Sequence, residues 1–233
     1  MITWFILIVA AYLLGSLPTA YLVAKRRGVD LRQHGTKQVG GGNLWRTTSR
    51  KLGLLVGLFD FIKGMVMIVV AQLQGLDVAQ QAIIGLAAIV GHNWPVFLRF
   101  HGGRGISTLL GIVLVLPAIN EGTPWPAVIA LGIVIVGTVI MRSSPFPVFV
   151  GAASLPLTYW ISGGGIAVTM AFLAIFLIII LKRLTAQPSA EAASISTSKL
   201  LLNRLLFDRD ISDRKVWIQR KPGATEEPRE DGL

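Results

Sequence analysis

Seven apolar stretches, at residues 2–24, 52–72, 81–98, 106–119, 125–141, 143–161 and 166–181, constrain this chain more than any other feature. Backbone amides and carbonyls in hydrocarbon must pair within their own segment, so runs of this kind fold as helices. With 53% hydrophobic and 15% charged residues across 233 positions, too much apolar surface is present for a soluble domain of this size. The mean hydropathy of +0.65 agrees. The expected fold is therefore all-α and polytopic, with about seven transmembrane helices. A perpendicular crossing needs roughly 20 residues, which makes the fourth stretch short. Pro95, Pro145, Pro147 and Pro156 predict breaks or re-entry in the third and sixth.

The formal charge of +10 suggests nucleic acid only until its placement is considered. Lys25, Arg26, Arg27, Arg32, Lys37, Arg46, Arg50 and Lys51 fill the first connection, Arg99 and Arg104 the third, and Arg142 the fifth. The connections between them hold Asp77, then Glu121, then no charge. Cations that alternate in this way follow the positive-inside rule, which places the amino terminus outside and the carboxyl terminus in the cytoplasm. No nucleic-acid partner is expected. Residues 1–14 lack a preceding positive charge and read as the first membrane helix, not a signal peptide. Cysteine is absent, which excludes disulfides, thiolate metal sites and a cysteine nucleophile.

Composition divides the chain at residue 184. Residues 1–184 form the transmembrane unit, and 185–233 form a cytoplasmic tail with a polar linker at 185–198, a short amphipathic stretch at 199–207 and expected disorder at 222–233.

Two glycine-rich cationic loops fall on the cytoplasmic side. In GHNWPVFLRFHGGRGISTLLG, residues 91–111, Gly102, Gly103 and Gly105 permit close backbone approach to a ligand, and a helix beginning near Ile106 points its first amides there. Arg104 adds a forked cation suited to phosphate, and Ser107 and Thr108 add hydroxyls. In GVDLRQHGTKQVGGGNLWR, residues 28–46, Gly35, Gly40, Gly41 and Gly42 imply tight turns among the donors Arg32, Thr36, Lys37, Asn43 and Arg46. Two such loops on one face suit two phosphates. Asp60 and Lys63 share one face of the second apolar stretch, either as a structural pair or facing a polar interior.

GSLPTAYLVAKRRGVDLRQHG from Gly15, FDFIKG from Phe59 and the loop around Arg104 resemble the bacterial membrane acyl-phosphate:glycerol-3-phosphate acyltransferases of the PlsY type, over about residues 5–185. The resemblance implies seven helices in the bacterial inner membrane, with the site at the cytoplasmic face. It also implies acyl transfer from acyl phosphate to the sn-1 hydroxyl of glycerol 3-phosphate, giving lysophosphatidate without metal or cofactor. The family's loop serine falls at Thr36, its asparagine and arginine at Asn43 and Arg46, its histidine at His92 and its phosphate-loop lysine at Arg104. Thr36, His92 and Arg104 are the catalytic candidates; Gly35, Gly40, Asn43, Arg46, Lys63, Gly102, Gly103, Gly105, Ser107 and Arg204 are the substrate-binding candidates. Arg104 keeps its proton at accessible pH, so His92 is the candidate base.

The chain departs from the family at two places. The pattern GSGNxGATN is here GTKQVGGGN, and the third motif survives only as Ser198, Leu201, Leu202, Arg204, Leu205 and Asp210. A non-catalytic relative that binds acyl phosphate or anionic lipid is therefore a competing reading. An anion transporter is a third, resting on Asp60, Lys63 and the glycine loops. The blander readings are that Arg104 anchors at headgroups, that His92 caps a helix, and that Lys25, Arg26 and Arg27 only set topology.

Overall fold

The computed structural model describes residues 1–186 and 189–219. Among them every regular element is helical. In chain order these are α1 (Ile2–Ser16), α2 (Thr19–Lys25), α3 (Gly41–Thr47), α4 (Arg50–Leu73), α5 (Val78–Asn93), α6 (Ile106–Ala118), α7 (Trp125–Met141), α8 (Pro145–Ile161), α9 (Ile166–Leu184), α10 (Thr197–Phe207) and α11 (Arg214–Gln219), with short 3-10 turns at Val96–Leu98 and Ala190–Ser194. Among the described residues, four spans are long and apolar enough to cross a membrane: Ile2–Lys25, Arg50–Leu73, Val78–Leu98 and Ile166–Leu184. Three apolar helices, α6, α7 and α8, are shorter.

Proline explains most of the departures from the expected segments. Pro18 has no amide hydrogen and restricts the residue before it; Leu17 turns extended at ψ 114, which splits the first stretch into α1 and α2. Pro95 ends α5 in the same way. The expected break in the sixth stretch does not occur, because Pro145 sits at the helix start, where its missing donor is harmless, and Pro156 is carried inside α8.

The helices pair as α1 with α5, α4 with α6, α7 with α8, and α8 with α9. Small residues set the first two pairs. A Cβ on Gly15 would lie 2.2 Å from the Ala88 carbonyl and one on Gly91 2.1 Å from that of Tyr12. Gly64 and Gly111 meet Thr108 and Phe61 between α4 and α6 in the same manner, at 2.2 and 2.3 Å. Close backbone approach of this kind supplies dispersion contact where lipid offers no hydrophobic drive. A separate apolar cluster of Ala20, Ala24, Leu31, Val39, Leu44, Val56 and Leu98 seats the first cationic loop on α4.

The amphipathic stretch at 199–207 is part of α10, which lies against α8 and α9 with Asn203 and Arg204 buried. The segment 222–233 lies outside the described residues.

Candidate functional site

The two glycine-rich loops, far apart in sequence, open on one cavity of about 350 Å³. Thr36, Gly40, Asn43 and Arg46 line it from one side and Gly103, Arg104, Gly105 and Ser107 from another, with His92 and Asp60 at its base. α6 begins at Ile106, as its sequence predicts, and Gly105 makes the turn into it at φ 68, in the left-handed region that favours glycine.

The first loop is held by Asn43, which is buried. Its Nδ2 donates to the carbonyls of Leu31, His34 and Gln38 at 3.2, 3.0 and 3.0 Å, and its Oδ1 accepts from the Thr36 amide at 3.0 Å. A Cβ on Gly35 would lie 2.3 Å from that Oδ1, and the backbone there is left-handed at φ 62. Asn43 and Gly35 therefore build the loop whose Thr36 side faces the cavity. Arg46 donates from Nη1 to the Gly42 carbonyl at 2.9 Å. Burial, and then the nearby Arg214 charge, hold its guanidinium below the usual arginine value.

Arg104 is already engaged. Its Nε donates to Asp208 Oδ2 at 2.9 Å and its Nη2 lies 2.8 Å from Oδ1, a bidentate pair with a carboxylate from the end of α10. Nη1 donates to the Lys182 carbonyl at 2.8 Å, and Gln38 Nε2 donates to the same carboxylate at 3.0 Å. The tail thus seats a carboxylate where an anion bound by Arg104 belongs.

Six basic side chains, Arg46, Arg104, Lys182, Arg183, Arg209 and Arg214, line the cavity against Asp60 and Asp208. Such an excess attracts phosphate-bearing guests. Lys182 donates to the Asn93 carbonyl and lies 4.9 Å from the Trp94 ring centre. Arg183 instead ties elements together, donating to the carbonyls of Leu205 at 2.5 Å and Pro145 at 2.6 Å.

Four expected binding residues lie off this cavity wall. Gly35 is behind Asn43. Gly102 packs beneath the loop, where a Cβ would meet the His92 carbonyl at 2.3 Å and lie near Pro95. Lys63 points into the bundle, donating to the Gly15 carbonyl at 2.9 Å beside Asp60 at 2.8 Å. Arg204 is buried against Asp210, with Nε to Oδ1 at 2.6 Å. Conversely, Lys182, Asp208, Arg209, Arg214 and Trp217 line the cavity without having been singled out. Lys182 reads in sequence as a topology cation, and nothing in the tail marks the others.

The family described as Glycerol-3-phosphate acyltransferase matches residues 5–187. "Glycerol-3-phosphate acyltransferase 5" of Dehalococcoides mccartyi is 42% identical over 233 residues, covering 97% of each chain. The similarly named protein of Geotalea daltonii is 35% identical, covering 75% of this chain and 87% of its own. Among solved structures, PlsY, an integral membrane glycerol 3-phosphate acyltransferase in its glycerol 3-phosphate form, superposes with a TM-score of 0.70 at 30% identity, covering 78% of this chain and 88% of that one. A lysophosphatidic acid form superposes at 0.69, with 27% identity, over 87% and 93%.

Proposed function

This chain belongs to the glycerol-3-phosphate acyltransferase family, and on that premise we propose how its cavity transfers a fatty acyl group from acyl phosphate to the sn-1 hydroxyl of glycerol 3-phosphate, giving lysophosphatidate and inorganic phosphate. The observation that carries the reading is the meeting of the Arg104 and Arg46 loops on one cationic cavity. One loop then holds the phosphate of the donor and the other that of the acceptor.

An acyl phosphate is already activated, so positioning and charge stabilisation carry most of the barrier reduction. The acceptor hydroxyl oxygen attacks the acyl carbonyl carbon and forms the ester bond. The bond from that carbon to the bridging oxygen breaks, and its electron pair leaves with the phosphate. His92 takes the hydroxyl proton and passes it to the departing phosphate, so no net proton is lost. Arg104, with the Gly103 and Gly105 backbone and the start of α6, stabilises the growing phosphate charge once Asp208 has released it. Thr36 and Ser107 supply hydroxyl donors. A neighbouring groove of about 610 Å³, walled by Leu54, Leu58, Phe61 and Leu110, shares Gly41, Gly42, Arg46 and Ser107 with the cavity and supports a place for the acyl chain.

The charge alternation supports seven crossings, an outside amino terminus and a site at the cytoplasmic face of the bacterial inner membrane. Purified protein given palmitoyl phosphate and labelled glycerol 3-phosphate tests the activity, and lysophosphatidate at the uncatalysed rate rejects it. Arg104→Ala is expected to lose about 100-fold or more in kcat/KM, whereas Arg142→Ala, outside the cavity, changes it less than about twofold. Equal effects remove Arg104 from the role.

A further inference from the structure

Charge in the cavity is balanced unevenly. Arg104 is paired with Asp208, and Lys182 and Arg183 donate to backbone carbonyls. Arg46, Arg209 and Arg214 line the same cavity, and among the described residues none of them is ion-paired with a carboxylate. Each is instead pinned by one nitrogen to a backbone carbonyl: Arg46 Nη1 to Gly42 at 2.9 Å, Arg209 Nη2 to Ser212 at 2.7 Å and Arg214 Nη1 to Arg142 at 2.7 Å. Arg209 Nε is buried and, among the described residues, has no acceptor. The three also crowd one another. Burial first, and then the Arg214 charge, lowers the Arg209 guanidinium as it does that of Arg46, with Asp213 opposing the shift at Arg209. The Asp213 carboxylate itself accepts from the Lys215 and Val216 amides, at 2.7 and 3.1 Å.

We propose that the tail completes the acceptor's binding site: Arg209 and Arg214, together with Arg46, form the subsite for the phosphate of glycerol 3-phosphate. The inference rests on the reading that the Arg46 loop holds the acceptor, and it gives a role to residues beyond 187, where the family match ends. Guanidiniums gathered without a counter-ion repel one another. A phosphate monoester dianion relieves that repulsion more fully than a singly charged phosphodiester does, and planar forked donors suit its oxygens. Because one nitrogen of each arginine is already fixed, little side-chain freedom remains to be lost on binding. The tail is held in place for this. Trp217 is buried at the cavity wall, and the Arg214 bond to the Arg142 carbonyl ties α11 to the end of α7.

The test combines calorimetric titration of glycerol 3-phosphate with turnover on palmitoyl phosphate, using the full-length protein in nanodiscs of phosphatidylcholine with and without phosphatidylglycerol. Arg209→Gln and Arg214→Gln are each expected to raise Kd and KM for glycerol 3-phosphate about 10-fold, and the double variant about 100-fold, with KM for palmitoyl phosphate within about twofold. Arg214→Lys, which keeps the charge and loses the fork, is expected to raise them about threefold. An equal rise in KM for palmitoyl phosphate overturns the proposal, as does an unchanged Kd. If the arginines only dock the tail, affinity falls only in variants whose α11 amides lose hydrogen-exchange protection; Arg209→Gln, which leaves the Arg214 bond intact, is expected to lose affinity with that protection retained. If they serve a lipid headgroup, the double variant loses a dependence on phosphatidylglycerol while its affinity for glycerol 3-phosphate stays at the wild-type value, and the proposal fails. Arginine-dependent binding without wild-type turnover removes the acyl transfer and keeps the subsite. Wild-type turnover with an unchanged Kd in the double variant removes the subsite alone.

Discussion

At the scale of single residues, the site is a set of polar groups whose partners decide what each can do. Asn43 and Arg204 are both legible as polar residues of family motifs, yet Asn43 fastens its own loop and Arg204 anchors the tail. A residue type gives the donors it carries; only its neighbours give the acceptor that takes them. Gly103 is legible as a loop glycine, and the structure adds why it matters, since a Cβ there would meet His92 Nε2 at 2.3 Å and the Val39 carbonyl at 2.5 Å. Gly103→Ala is accordingly expected to lower kcat about 10-fold or more while the protein still extracts and purifies as the wild type does, a loss read in the palmitoyl phosphate assay. The Asp208 pair yields an opposite effect. A phosphate on Arg104 must displace this carboxylate, so Asp208→Asn is expected to lower KM for a phosphate substrate by about threefold to tenfold. A raised KM would mean instead that Asp208 holds Arg104 in its working orientation.

At the scale of elements, the apolar runs give the helices almost residue by residue, because a segment in lipid must satisfy its own backbone. The stops are local too, as Pro18 and Pro95 demonstrate. Which helix lies against which is not local. Gly15, Gly64, Gly91 and Gly111 look in sequence like ordinary membrane-helix glycines, but each faces a carbonyl of its partner helix at 2.1–2.3 Å from an added Cβ. Gly91→Ala is expected to destabilise the protein by about 1–3 kcal/mol through separation of α1 from α5. Gly132→Ala on α7, with open space around it, is the control and should leave the thermal unfolding midpoint unchanged or slightly raised. Equal shifts for the two would contradict close packing as the role of Gly91.

At the scale of the whole molecule, the tail is the part that neither hydropathy nor charge counting describes. It folds on itself through Asp210, whose carboxylate accepts from Arg204 Nε at 2.6 Å and from the Ser189 amide at 2.7 Å, and it returns to the bundle through Arg204 Nη1, which donates to the Leu184 carbonyl of α9 at 3.1 Å. Burial by itself would raise this carboxyl, but the bonds from Arg204 and Ser189 outweigh burial and hold it below its ordinary value of 3.8. A depressed carboxyl stabilises the docked tail fully above that ordinary value and loses the contribution as pH falls through the lower, folded value. Hydrogen exchange should therefore show α10 amides protected at neutral pH and released in acid below 3.8, with Asp210→Asn releasing them already at neutral pH. Protection unchanged in Asp210→Asn would count against this anchor.

The amino-acid sequence by itself determined the helical segments, their loop chemistry and two candidate anion-binding turns, since each follows from the hydropathy and stereochemistry of neighbouring residues. Tertiary structure alone decided that residues 36–46 and 103–107 face one cavity, that Asp208 reaches back across the chain to cover Arg104, and that Lys63 and Arg204 turn away from the cavity. Those outcomes depend on how helices far apart in the chain pack together, and the close glycine contacts that align them appear only when two surfaces are placed face to face.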